Sequence, residues 1–188
     1  IVPVSLKVVE ASPLRTDITV LNRLECRGGT ILHEAVYSVH ADGQIGVENV
    51  FEIGDRLPPP ARIGMYVALP ADYDCVEWFG RGPFESYEDR KESAQVGLYS
   101  GRVADQHFDY VMPQENGNKT DVRWLRLKSE DGGLLVSGAG NKLDFNVQDY
   151  ADRDLYDSRT THSLRRGGKT FLHLDMAQMG LGGDDSWS

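Results

Sequence analysis

The sequence predicts an all-β protein, an antiparallel β-sandwich carrying one or two short helices. Three observations carry that expectation. Apolar and polar residues alternate at period two in one segment after another, the spacing of strands with one buried face. Twenty glycines and repeated turn signals punctuate those segments. Only two short stretches read as helix.

From Ile31 to His40 the residues Ile31, Ala35, Tyr37 and Val39 share one face, with Glu34, Ser38 and His40 on the other. Asp42-Gly43 supplies a hairpin turn. The return strand sets Ile45, Val47, Phe51 and Ile53 on a single face. Thr19–Leu24 and Ile63–Leu69 read as flanking strands, and Pro58-Pro59-Pro60 as an extended connector that no central ladder admits. Asp74–Phe79, Asp121–Leu127 and Leu134–Val136 follow, the last two joined by the turn Asp131-Gly132-Gly133. Phe171–Met179 is the late strand, with Leu172, Leu174 and Met176 opposite His173, Asp175 and Ala177. The helical segments are Phe84–Ser93 and Asp152–Ser158, the second with Asp152 as its N-cap.

A length of 188 residues suits one core, and residues 1–188 read as a single domain without repeats or linkers. An apolar fraction of 40% and a charged fraction of 26% are ordinary for a globular protein. The net charge of −9 argues against neutralising nucleic-acid phosphates, so no nucleic-acid partner is expected. No run of about 20 apolar residues is present, and no membrane partner is expected either. Ile1-Val2-Pro3-Val4 and Asp184-Asp185-Ser186-Trp187-Ser188 both read as boundaries within a longer polypeptide.

Chemistry is sparse. Cys26 and Cys75 lie in strand-like stretches and read as reduced core thiols, and no ligand spacing for a metal appears. The 29 carboxylates include no evident catalytic pair. Asp184 and Asp185 are neighbours that point apart in an extended chain and read as loop-fixing residues. His33, His40, His107, His162 and His173 are scattered, although His173 and Asp175 share a strand face. Trp78 and Trp124 fall in strand patterns. Trp187 falls in a polar, glycine-rich loop, which a strand core position does not explain. A Trp there offers a rigid apolar surface to the C–H face of a sugar.

Three stretches bear a family resemblance. Trp78-Phe79-Gly80-Arg81-Gly82-Pro83-Phe84-Glu85-Ser86-Tyr87-Glu88-Asp89-Arg90 resembles the W-x-G-x-G-P-x-E-x-Y-x-D-R signature of the C-terminal domain of long-chain bacterial β-galactosidases. Pro113-Gln114-Glu115-Asn116-Gly117 is similar to that domain's P-x-E-N-G loop, and Gly180–Trp187 to its G-x-G-G-D-D-S-W motif. Pro60-Ala61-Arg62-Ile63-Gly64 also fits. The resemblance implies glycoside hydrolase family 2 and an incomplete sandwich of the galactose-mutarotase-like super-sandwich type. It implies that the catalytic glutamates belong to a separate TIM-barrel domain, that this chain holds no catalytic residue, and that Trp187 contacts the β-galactoside in the complete enzyme. Glu115, Asn116, Asp184 and Asp185 are then candidate pocket or loop-shaping residues. Glu85, Tyr87, Asp89 and Arg90 are expected to form a polar network pinning the Gly80–Pro83 turn.

No cofactor is expected in this chain, and any Mg or Na of the parent enzyme would sit in other domains. The compartment stays open between bacterial cytoplasm and periplasm. The missing family strands suggest unpaired edges and an oligomer. Two alternatives stay open: a stand-alone aldose mutarotase using His173 with Asp175 or Glu115, and a carbohydrate-binding module.

Overall fold

The computed structural model describes residues 1–180 and residue 182. The chain divides into two compact units, Ile1–Pro59 and Pro60–Ser188. The residues 58–60 that straddle the division join no ladder, as three consecutive prolines require.

The first unit is one antiparallel meander, β1 (Val2–Ser12), β2 (Arg15–Cys26), β3 (Gly29–His40) and β4 (Ile45–Ile53), hydrogen-bonded in that order. The expected turn at Asp42-Gly43 closes β3 onto β4, with Gly43 at φ 91° and the Asp42 side chain accepting from Gln44 N at 3.0 Å. Cross-strand register sets Leu6 and Val8 beside Val20 and Ile18, then Ala35 and Tyr37, then Asn49 and Val47. The face expected from the alternation of β3 and β4 is therefore a face of the whole sheet. A polar trio is set into it: His33 joins Asn22 at 3.4 Å and Asn49 at 2.9 Å and stacks on Phe51.

The second unit is a sandwich of two four-stranded antiparallel sheets. One sheet is β10 (Gly133–Ser137), β9 (Trp124–Lys128), β6 (Cys75–Gly82) and β7 (Gln95–Arg102). The other is β5 (Arg62–Pro70), β12 (Lys169–Gln178), β11 (Leu143–Gln148) and β8 (Lys119–Val122). Between them Val76, Trp78, Leu125 and Leu127 meet Val122, Phe145, Val147 and Leu172 in a dry core. Trp78 is its largest member, edge-on to Phe145 at 5.7 Å, with its indole N–H donating to Arg81 O at 2.9 Å. The all-β antiparallel sandwich expected from the sequence is present.

Several local expectations are corrected. The expected strand Asp121–Leu127 is two strands in different sheets. The chain changes sheet at Arg123, between β8 and β9, just after Asp121 at φ 55°, and Arg123 N is diverted to Phe79 O at 2.8 Å. Phe84–Ser93 is not helical. Its backbone is recruited laterally instead: Ser86 N donates to Asn118 O at 2.8 Å and Asn118 Nδ2 to Ser86 O at 2.9 Å. The helix α1 (Asp152–Asp157) does form, but Ala151 is its N-cap. Asp152 accepts from His173 Nε2 at 2.8 Å rather than capping. Met176 is exposed, because a register irregularity between Asp175 and Ala177 breaks the alternation. Both cysteines are free but exposed rather than in the core, since Cys26 ends β2 and Cys75 begins β6. The sequence reading also missed β1, β7 and β11, as well as the single turn Val103–Gln106.

Two outcomes follow from this packing. β1 pairs only with β2 among the described residues and exposes Leu6 and Val8 at 68% and 58%, so the chain should self-associate. Light scattering should show a mass that grows with concentration and that Val8→Lys lowers; a constant monomer mass would refute it. Trp78→Ala should cost about 3–5 kcal/mol in urea unfolding followed by circular dichroism, and a loss below about 1 kcal/mol would show that the site collapses around the gap.

Candidate functional site

The outer face of the second sheet is polar yet buried. Alternation along β11 and β12 turns Phe145, Val147 and Leu172 into the core and Asp144, Asn146, Gln148, His173 and Asp175 away from it. A solvated face would leave these side chains wet. Instead all five are buried, together with Asn116 of the 113–117 loop, so their polar atoms need internal partners.

Arg62, from β5, answers several of them. Its Nη2 donates to Glu115 Oε1 at 2.6 Å, and its Nε lies 3.0 Å from Asp175 Oδ2. Its Nη1 donates to His173 Nδ1 at 3.4 Å, which leaves His173 Nε2 to donate to Asp152. Asn146 Nδ2 donates to the same Glu115 oxygen at 2.9 Å. The Asn116 side-chain oxygen accepts from Phe108 N and from Gln148 Nε2, each at 2.8 Å. The loop residues Glu115 and Asn116 are thereby held from both sides.

A second network lies over the first motif. Arg81 donates to Asp121 at 2.7 Å and to the Lys91 and Ala94 carbonyls at 2.8 and 3.0 Å, bracing the 83–94 turn region. Glu85 accepts from Gly117 N at 2.7 Å and from the Tyr110 hydroxyl, and its Oε1 lies 3.5 Å from Arg90 Nη2. The Arg90 guanidinium covers the ring of Tyr87 at 4.1 Å and donates to the Gly182 carbonyl. Three segments far apart in sequence, 78–90, 113–117 and the approach to residue 182, converge here. Of the expected polar network, Glu85, Tyr87 and Arg90 take part, whereas Asp89 is largely exposed and reaches Arg90 only at 3.7 Å.

Burial dominates the electrostatics. Desolvation raises Asp175 to about 6 against the opposing pull of Arg62 and His173. It raises Asp144 to about 7, with Glu88 adding to the effect. Desolvation lowers Lys119, whose ammonium donates to Gly117 O at 2.7 Å, to about 8. Burial also pushes the Tyr87 phenol well above its usual range. Beside this layer a cleft of about 970 Å³ opens between the 112–115 loop and α1, lined by Met112, Pro113, Glu115, Asp152, Leu155 and Tyr156 among others.

His173, Asp175 and Glu115 therefore do meet, around Arg62. His173 has both ring nitrogens engaged and Asp175 is 1% exposed, so the trio is a closed ionic cluster rather than an acid/base pair facing a ligand. Trp187, Asp184 and Asp185 lie outside the described residues. Among the described residues no cluster of three metal-ligating side chains occurs, and no helix is long and apolar enough to cross a membrane. Sequence reasoning assigned no role to Arg62, Asp144, Asn146 or Gln148, and only a helix cap to Asp152. The polar alternation in Leu143-Asp144-Phe145-Asn146-Val147-Gln148 was the available signal, and amides on one strand face are what a covered polar layer requires.

The model of the β-galactosidase small chain matches residues 6–188. The chain belongs to that family. It is 38% identical over 152 residues to a β-galactosidase of Vibrio cholerae, which covers 81% of this chain and 14% of the relative. It is 36% identical over 152 residues to a β-galactosidase of Priestia megaterium, covering 80% and 15%. It is 38% identical over 172 residues to β-galactosidase 2 of Enterobacter cloacae, covering 91% and 16%. This small-chain segment thus spans about a seventh of the length of these relatives.

The raised carboxyls give a test of the buried layer. A folded value above the ordinary 3.8 means that Asp144 holds a proton the unfolded chain has already lost. Its stabilising contribution is full below about pH 4 and is lost as pH rises through 7. Asp144→Asn should therefore stabilise the chain at pH 8, on the order of 2 kcal/mol, with little change at pH 4. Equal changes in Tm at the two pH values would contradict the assignment.

Proposed function

We propose that this chain is an accessory, non-catalytic part of a β-galactosidase of glycoside hydrolase family 2. In this reading it caps the mouth of a TIM-barrel domain and brings Trp187 to the sugar pocket. The parent reaction is retaining hydrolysis of terminal β-D-galactosides through a covalent glycosyl-enzyme, with both catalytic carboxyls on the barrel. Any Mg or Na belongs to those other domains, and the enzyme is an oligomer.

One observation carries the reading. The two internal motif segments meet the approach to Trp187 in a single place, where Arg90 is bonded to Gly182 O and Glu85 to Gly117 N. The convergence fixes the backbone at Gly182, five residues before Trp187 in the sequence. A capping domain needs this, because a Trp acting as an apolar platform must arrive at a fixed place. The family membership and the Gly180–Trp187 motif give independent support. The closed cluster around His173 leaves the stand-alone mutarotase reading without a favouring observation, and the galactose-mutarotase-like type remains part of the fold proposal.

In the full-length enzyme Trp187→Ala should raise KM for a β-galactoside roughly a hundredfold, with Trp187→Phe recovering part of it. Unchanged kinetics in the Ala variant would sink the assignment. Calorimetric titration of galactose onto this chain alone should show no measurable heat; millimolar or tighter binding would favour a carbohydrate-binding module instead.

A further inference from the structure

Gly180 and Gly182 each lie close against neighbouring groups of the domain. A Cβ on Gly182 would lie 2.1 Å from the Tyr87 hydroxyl and 2.5 Å from the Glu115 carbonyl oxygen. A Cβ on Gly180 would lie 2.6 Å from Asp89 Oδ1, and Gly180 sits at φ 57°. Gly182 therefore requires glycine for close approach to a buried ring and a backbone carbonyl, and Gly180 favours it through its positive φ, the Asp89 carboxylate being an exposed end that can move.

Arg90 is the side chain that grips Gly182. Its guanidinium bonds the Gly182 carbonyl while lying flat on Tyr87 at 4.1 Å and 3.5 Å from Glu85 Oε1. Glu85 is in turn fixed by Gly117 N and the Tyr110 hydroxyl, so the guanidinium is oriented before it meets the carbonyl. The Tyr87 hydroxyl, fully buried, has no hydrogen-bond partner among the described residues and faces the same glycine. An ammonium could supply the charge but neither the planar stacking nor the divergent donors.

We infer that Arg90, seated on Tyr87 and Glu85, is a positioning residue that fixes through Gly182 where the chain enters the Asp184–Trp187 loop. This deepens the proposed function and rests on Trp187 contacting the sugar. Without the seat the backbone at Gly182 is no longer fixed before substrate arrives, so the loss falls on substrate capture.

The test is steady-state hydrolysis of p-nitrophenyl β-galactoside by the full-length enzyme. Arg90→Ala should raise KM roughly tenfold with a smaller change in kcat, and Arg90→Lys should recover only part of it. The double variant Arg90→Ala/Trp187→Ala should have a KM no higher than Trp187→Ala alone, because a seat has nothing left to position. Effects that multiply in the double variant, or an unchanged KM for Arg90→Ala beside a raised one for Trp187→Ala, overturn the inference and leave the sugar contact standing. A silent Trp187→Ala removes both. If Arg90→Ala fails to fold by circular dichroism, Gly182→Ala opens the same seat from the chain side and is held to the same outcomes.

Discussion

A guanidinium under a protein loop is stable only where carboxylates and hydrogen-bond acceptors have been arranged around it beforehand. Arg62 occupies such a place, between Glu115 of the 113–117 loop and Asp175 of β12, with His173 and Asp152 extending the chain of contacts to α1. The geometry of the rest of the second unit depends on it. Remove the cation and the carboxylates of Glu115 and Asp175 lose the positive charge between them, leaving the loop to its neutral contacts with Asn146 and Gln148 and to Glu85. The loop in turn supplies the Asn116 oxygens that satisfy Gln148 and the carbonyl of Glu115 that limits the space at Gly182.

The sandwich therefore has two interiors of different chemistry. The apolar one, around Trp78, is non-directional and tolerates small adjustments among Val, Leu and Phe. The polar one, on the far side of β11 and β12, is directional, and its members stand in one arrangement because most of their donors and acceptors are engaged with one another. Directional contacts are what a domain needs to place a short terminal run reproducibly. The contacts of Glu85 with Gly117 N and with Arg90 continue that logic to the point where Arg90 meets Gly182.

Much of this was legible in the residues. The alternation in β3 and β4 predicted both strands and the face that the sheet presents, because a period of two has few rival explanations. Pro58–Pro60 marked a break in the ladders, whereas the turn expected at Gly80–Pro83 is not one: Gly80 and Gly82 belong to β6, paired with Gly97 and Gln95. What escaped notice escaped for identifiable reasons. β11 was missed as a strand, and nothing in its own residues says that a distant loop will cover its polar side. Phe84–Ser93 has helical composition, yet Ser86 and Asn118 outcompete the helix for its backbone groups. Asp152 has the chemistry of a cap and a stronger partner in His173.

The sequence by itself determined the all-β class, most of the strands and, through its motifs, the β-galactosidase small-chain family. Those properties rest on local periodicity and on side chains read in order along the chain. Only the tertiary structure decided that Arg62, Glu115, Asp175 and His173 form one closed ionic cluster, and that Arg90 reaches Gly182 across 92 positions. Such contacts depend on strand register and on which loop lies over which face. Register and covering are set by the packing of the whole unit, and no local stretch of residues encodes them alone.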